Sequence, residues 1–273
     1  MPHARSNWIK ILSVFGVIVL LLAIGGYAAY QKLLPSIRGS HCEMAADGVT
    51  IQLDLEQSAN AATIAGVAFQ KGLSERAVAI AYATALQESK LYNLSYGDRD
   101  SVGLFQQRPS QGWGSRKKLQ DPVYASKRFF GSLSKVRDYL DMPVSEAAQK
   151  VQRSADGSAY AAHVSDAKVM AAAFTGHAAH GVRCWYPEAD QPRESTAYEL
   201  KRTFGSVRIS GGQVTASGPR MAWAVSAWAV AHAHMFGLKS VAHDGRVWTA
   251  ADGYSGWTPS DEAPKNHRSV QIQ

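Results

Sequence analysis

Cysteine is scarce in this 273-residue chain, with two residues, Cys42 and Cys184. A scaffold stapled by many disulfides is excluded, and so is a zinc site built on cysteines. No metal-ligand spacing is present either: His177 and His180, and His232 and His234, lack a third and fourth converging ligand nearby. Gly211-Gly212 is followed by no phosphate-loop pattern, so it reads as a turn. Internal repeats and low-complexity tracts are absent. Charged residues make up 19% of the chain, and the basic ones read as scattered, without the clustered stripe that nucleic-acid binding requires. Neither metal, cofactor nor nucleic acid is therefore expected.

What is present is a basic balance, a formal net charge of +7, which favours an anionic lipid surface or an acidic cell wall as neighbour. Ile11 to Tyr30 runs without a charged residue, long enough to span a bilayer as a helix, with Trp8, Tyr27 and Tyr30 suited to the interface. A cleaved signal peptide is the rival, but Tyr27-Ala28-Ala29 puts a bulky side chain where a small one is wanted. The expectation is a single-pass anchor in the cell membrane with the bulk of the chain extracytoplasmic. Arg5 and Lys10 before the segment balance Lys32 and Arg38 after it, so charge leaves the orientation open. In an oxidising compartment Cys42 and Cys184 can pair; unpaired thiols are the alternative.

Beyond a stalk to residue 40, a strand is predicted over Val49–Leu53 after the Asp47-Gly48 turn. Helices follow over 57–70, stopped by Gly72, and from a Ser74 cap to Glu88. The second has a slim body of Ala77, Val78, Ala81, Ala85 and Leu86, as a buried central helix would. Asp121-Pro122 opens a helix predicted to reach residue 140, and shorter helices follow to Phe174. The first domain (41–186) is mostly helical. A polar, proline-bearing linker (187–202) and a small α/β unit (203–273) complete an α+β chain, the latter with a helix over Arg220–Phe236, a hairpin at Asp244-Gly245 and a closing strand at Ser269–Ile272. Trp223, Trp228, Trp248 and Trp257 fit the core of that unit better than a sugar-stacking platform.

One stretch organises the rest. Residues 88–109 (ESKLYNLSYGDRDSVGLFQQRP) deliver a carboxylate at a helix end, a polar loop, and then an apolar segment closed by two amides. A glycosidase needs a carboxyl group that gives up and takes back a proton, facing amides that bind sugar hydroxyls. Glu88-Ser89, Gly103-Leu104-Phe105-Gln106, Pro109, Asp121-Pro122 and Ala172-Ala173-Phe174, in that order, resemble the motifs of soluble lytic transglycosylases and goose-type lysozymes. The resemblance covers about residues 57–180, and the whole chain resembles actinobacterial membrane proteins of undefined role.

The resemblance implies a lysozyme-like domain acting on peptidoglycan glycan strands, with Glu88 as general acid and then base. It implies glycan-binding roles for Gln106 and Gln107, and a site-lining or orienting role for Ser89. Phe174-Thr175-Gly176 departs from the family's Tyr-Asn-Ala, removing a hydroxyl that helps hold the glutamate and leaving Phe174 at that place in the substrate site. Independently of any family, Asp98 or Asp100 facing Glu88 across a water would permit an inverting hydrolase; the plainer reading is that both build the loop with Arg99. A non-catalytic glycan-binding scaffold is the alternative to an enzyme.

Overall fold

The computed structural model describes residues 15–27, 39–153, 157–187, 189, 195–205 and 207–273. The chain divides into two compact units, Met1–Gly39 and Ser40–Gln273. In the first, residues 15–27 form a helix, α1, with exposed apolar side chains. At about 1.5 Å per residue it covers roughly 20 Å, short of a bilayer core of about 30 Å. Among the described residues no helix is long and apolar enough to cross a membrane. The expected transmembrane anchor, and the cell-membrane localisation drawn from it, are corrected accordingly. The rest of the 11–30 segment lies outside the described residues.

The second unit is mixed α/β, with helices and two antiparallel sheets. β1 (His41–Ala46) and β2 (Val49–Leu53) form a hairpin whose turn, Asp47-Gly48, takes positive φ at both residues (51° and 77°). That is the turn whose twist matches paired strands. β3 (Val182–Trp185) closes this sheet in the order β2-β1-β3, opposing Cys184 to Cys42, and the two are joined as a disulfide.

Helix α2 (Leu55–Gln70) begins at a capping box: Asp54 accepts from the Gln57 amide while the Gln57 side chain accepts from the Asp54 amide. Helix α3 (Glu75–Ser89) follows, buried from Ala77 to Ala85; Ser74 precedes it without a side-chain capping bond. A short α4 (Arg116–Leu119) leads to α5 (Pro122–Leu133), which Asp121 caps through the amides of Val123 and Tyr124. The helix ends seven residues short of the expected 140. Then come α6 (Val144–Gln152), α7 (Ser158–Ala161) and α8 (Val164–Phe174), the last lying along α3.

The stretch expected as a linker instead contributes α9 (Thr196–Phe204), an amphipathic helix that buries Leu200, Thr203 and Phe204. A Cβ added at Gly66 would lie 2.3 Å from the Thr203 side chain, so only glycine lets α9 sit this close to α2. Phe204 ends that helix. The second sheet runs β4-β5-β9-β6-β7-β8, built from β4 (Arg208–Ser210), β5 (Gln213–Thr215), β6 (Ser240–His243), β7 (Arg246–Thr249), β8 (Thr258–Pro259) and β9 (Ser269–Ile272). Helix α10 (Pro219–Phe236) packs on α2. Trp248 and Trp257 donate their indole N–H groups to the carbonyls of Cys184 (3.2 Å) and Val182 (2.8 Å). The residues after 203 thus share one core with those before 187 rather than forming a separate body.

Candidate active site

The end of α3 is forced. Lys90 and Leu91 both take left-handed backbone angles (φ 53° and 65°), which cost about 1–2 kcal/mol at a residue with a side chain. Helix α2 holds them there: Gln57 donates to the Lys90 carbonyl (2.8 Å) and Asn60 to the Leu91 carbonyl (2.8 Å). The chain turns sharply just after Glu88, leaving its carboxylate half-buried at the mouth of a cleft of about 230 Å³.

The opposite wall is a tight loop. Val102 and Gln107 exchange both backbone hydrogen bonds at 3.1 Å, closing a turn over Gly103–Gln106. Gly103 is required: its φ is +78°, and a Cβ would lie 2.4 Å from the Leu119 carbonyl. Leu104 and Phe105 are fully buried, Phe105 stacking on Phe129 at 4.5 Å. With those side chains anchored, Gln106 and Gln107 line the cleft. Gln106 donates to the carbonyls of Tyr96 (3.2 Å) and Gly103 (3.3 Å). Gln107 is buried, and its Oε1 has no protein partner. Its Nε2 donates inward to the Ala125 carbonyl (3.4 Å), and a buried acceptor left unmatched costs about 1–3 kcal/mol.

The remaining lining comes from Arg108, Gln111, Trp113, Gln152 and Tyr160. Gln152, at the end of α6, donates to the Phe105 carbonyl (2.8 Å). Tyr160, on α7, donates its hydroxyl to Glu88 Oε1 at 2.6 Å. One carboxylate, one phenol directed at it, four amides and one indole make up most of the lining. Comparison of the sequence with protein-family models and with curated proteins gives no match.

The other expected site residues fall elsewhere. Ser89 is buried, its hydroxyl lying 2.7 Å from the Leu104 carbonyl and 3.1 Å from that of Ala85, so it ties the helix end to the loop rather than lining the cleft. Phe174 is buried against Tyr82, ring centroids 6.4 Å apart, in the core. Asp98 is exposed beside Arg99 (3.9 Å). Asp100 is held by Arg108 (2.8 Å) and by the Ser110 amide (2.7 Å) and hydroxyl (3.0 Å). The Arg108 guanidinium, then the Ser110 amide, keep its carboxyl far below the usual carboxylate range. Neither aspartate lines the cleft.

Trp228 and Trp248 are core, and Trp223 packs between His180, His243 and Trp257. His177 meets Glu75, and His232 stacks on Trp228. Among the described residues no group of three metal-ligating side chains converges. Sequence reasoning missed Tyr160, Gln152, Gln111 and Trp113. The only signals were the helical pattern around Tyr160 and an indole a few residues beyond Gln107.

Proposed function

We propose that this protein cleaves, or at least binds, peptidoglycan glycan strands in this cleft, with Glu88 as the proton donor and acceptor. The observation that carries the reading is the Tyr160 hydroxyl on Glu88 Oε1. It holds one carboxyl oxygen of Glu88, and it supplies from α7 the hydroxyl that the Phe174 position lacks. The order of motifs that resembles lytic transglycosylases and goose-type lysozymes is a second support.

The chemistry follows from a single carboxyl group. Protonated Glu88 gives its proton to the glycosidic oxygen as the bond from that oxygen to the anomeric carbon breaks. The sugar cation that remains is attacked by its own 6-hydroxyl oxygen, and Glu88 takes the proton released. The products are an anhydro sugar end and a free hydroxyl, and Glu88 returns to its starting state. A hydrolase that inverts needs a second carboxylate about 6.5–9.5 Å away to activate water. Glu88 is the one carboxylate among the described residues lining the cleft, which favours the intramolecular route. Gln106, Gln107, Gln111 and Gln152 suit sugar hydroxyls and N-acetyl groups, and Trp113 offers a ring face to an apolar sugar face.

The test incubates the full chain and Glu88→Gln with purified peptidoglycan and reads products by mass spectrometry. Anhydro-sugar ends made by the wild type and lost in the variant are the expected result. Binding by both forms with no product from either would leave a non-catalytic glycan-binding protein.

A further inference from the structure

We propose that the glycan taken by this cleft is an acidic one, and that one cleft wall is built to hold its carboxylate or phosphate substituents. The proposal rests on the glycan reading and adds the charge of the substrate. Residues 106–128 carry six of the chain's 29 lysines and arginines but one of its 22 acids. A surplus of five out of the whole-chain +7 thus falls within this one segment. The basic residues are therefore not scattered where it matters, because this segment contributes Gln106, Gln107, Arg108, Gln111 and Trp113 to the cleft.

The few acids nearby are already matched. Asp121 is bound by Arg202, and Asp100 by Arg108. Arg116, Lys117, Lys118, Lys127 and Arg128 are within salt-bridge distance of no described carboxylate.

Two of these cations are tied to the cleft, Arg128 directly and Lys118 through Tyr124. Arg128 donates to the carbonyls of Trp113 (2.8 Å) and Gly112 (2.9 Å). Tyr124 donates to the same Trp113 carbonyl (3.4 Å), and Lys118 lies over the Tyr124 ring at 5.8 Å. Arg116 donates to the Ser95 carbonyl. The backbone of Trp113, a residue that lines the cleft, is thereby held by Arg128 and by the tyrosine that Lys118 covers. Lys117 and Lys118 themselves stay exposed on the short α4. Unmatched cations repel one another, and an anionic ligand relieves that repulsion while a neutral one does not. Such attraction falls with ionic strength, the screening length shrinking from about 10 Å at 0.1 M salt to about 3 Å at 1 M.

The test measures binding by full-length Glu88→Gln, so that nothing is cut, to three glycans. One is a neutral N-acetylglucosamine oligomer, one a glycan strand bearing acidic peptide stems, and one a strand bearing a phosphodiester polymer. Each is measured again after adding Lys117→Glu/Lys118→Glu, with Lys71→Glu/Lys239→Glu as an equal charge change on exposed sites elsewhere in the sequence. The expected result is a ratio of acidic to neutral affinity that falls about ten-fold with the first pair at low salt, that falls much less at high salt, and that holds with the second. Whichever acidic strand loses more identifies the source of the charge. An equal loss with both pairs, or no loss with either, would overturn the proposal while leaving the glycan cleft standing. Failure of every glycan to bind would overturn both, as would a DNA duplex that displaces bound glycan.

Discussion

Glu88 and Tyr160 are separated by 72 residues in sequence and by 2.6 Å in space, and this pair decides what the cleft can do. A phenol donating to a carboxylate is a charge-assisted bond, whose loss costs about 1.5–3 kcal/mol. Tyr160→Phe keeps the ring and its packing and removes only that bond. The expected outcome is a ten- to hundred-fold fall in the rate of product formation, roughly that free energy expressed as a rate. Peptidoglycan affinity is expected to hold within a few-fold. An unchanged rate, measured by mass spectrometry on intact peptidoglycan, would show that Glu88 needs no such partner. At this scale the sequence was legible for Glu88, Gln106 and Gln107, because they sit in one short stretch. Tyr160 was not legible, since nothing local marks a side chain whose partner arrives from another helix. Phe174 was misplaced for a related reason: a phenylalanine next to a site looks the same in sequence whether it faces the cleft or the core, and of the two roles open to Ser89 the lining one does not hold.

Among the elements, α2 and α10 pack on one another, and His232 of α10 is buried against Thr63 of α2. Its ring stacks on Trp228 (4.1 Å) with Phe236 beside both (5.9 Å), and its nitrogens face the Trp228 carbonyl (2.9 Å) and the Thr63 hydroxyl (3.4 Å). Burial pushes its pKa down from 6.5 to about 4, against the smaller opposing pull of the Trp228 carbonyl. An unfolded chain therefore takes up this proton near pH 6.5, and the folded chain only near pH 4. In that window the unfolded state binds more protons, so stability is full above pH 6.5 and falls as the pH drops towards 4. The loss comes to about 3 kcal/mol across the window. Urea midpoints at neutral pH and near pH 4.5 should differ clearly for the wild type and less for His232→Gln. Equal differences would assign the acid sensitivity to other groups. Elements with local signals were readable here, namely the Asp47-Gly48 and Asp244-Gly245 turns and the Asp121 start of α5. Helix α9 was not, because the apolar face that makes it a helix is short and its polar flanks read as a linker. The thirteen-residue α1 shows the converse: an uncharged run suggested a span that the described helix does not supply.

Across the whole unit of residues 40–273, strand β3 joins parts of the chain that are far apart in sequence. It pairs with β1 on one side, and its carbonyls at Val182 and Cys184 accept from Trp257, just before β8, and from Trp248 of β7. Gly253 approaches so closely that a Cβ there would lie 2.0 Å from the Cys184 carbonyl. The Cys42–Cys184 bond sits at this junction and closes a loop across a sequence separation of 142. In the chain-entropy account a loop of that length stabilises by roughly 5 kcal/mol, by restricting the unfolded chain. That figure is an upper value, because backbone pairing already aligns the two strands. Cys42→Ala/Cys184→Ala should therefore lower the urea midpoint with little change in the folded fluorescence, since Trp248 and Trp257 bond to backbone carbonyls that the substitution keeps. If the fluorescence of the native state shifts as well, the bond also holds β3 in place against the second sheet. If neither the midpoint nor the fluorescence moves, the antiparallel pairing of β1 and β3 carries the junction alone. Glycan binding offers a separate readout, because Glu88 lies at the end of α3 and is held by α2 and α7 rather than by β3. Binding should survive the loss of the disulfide under conditions where the variant stays folded.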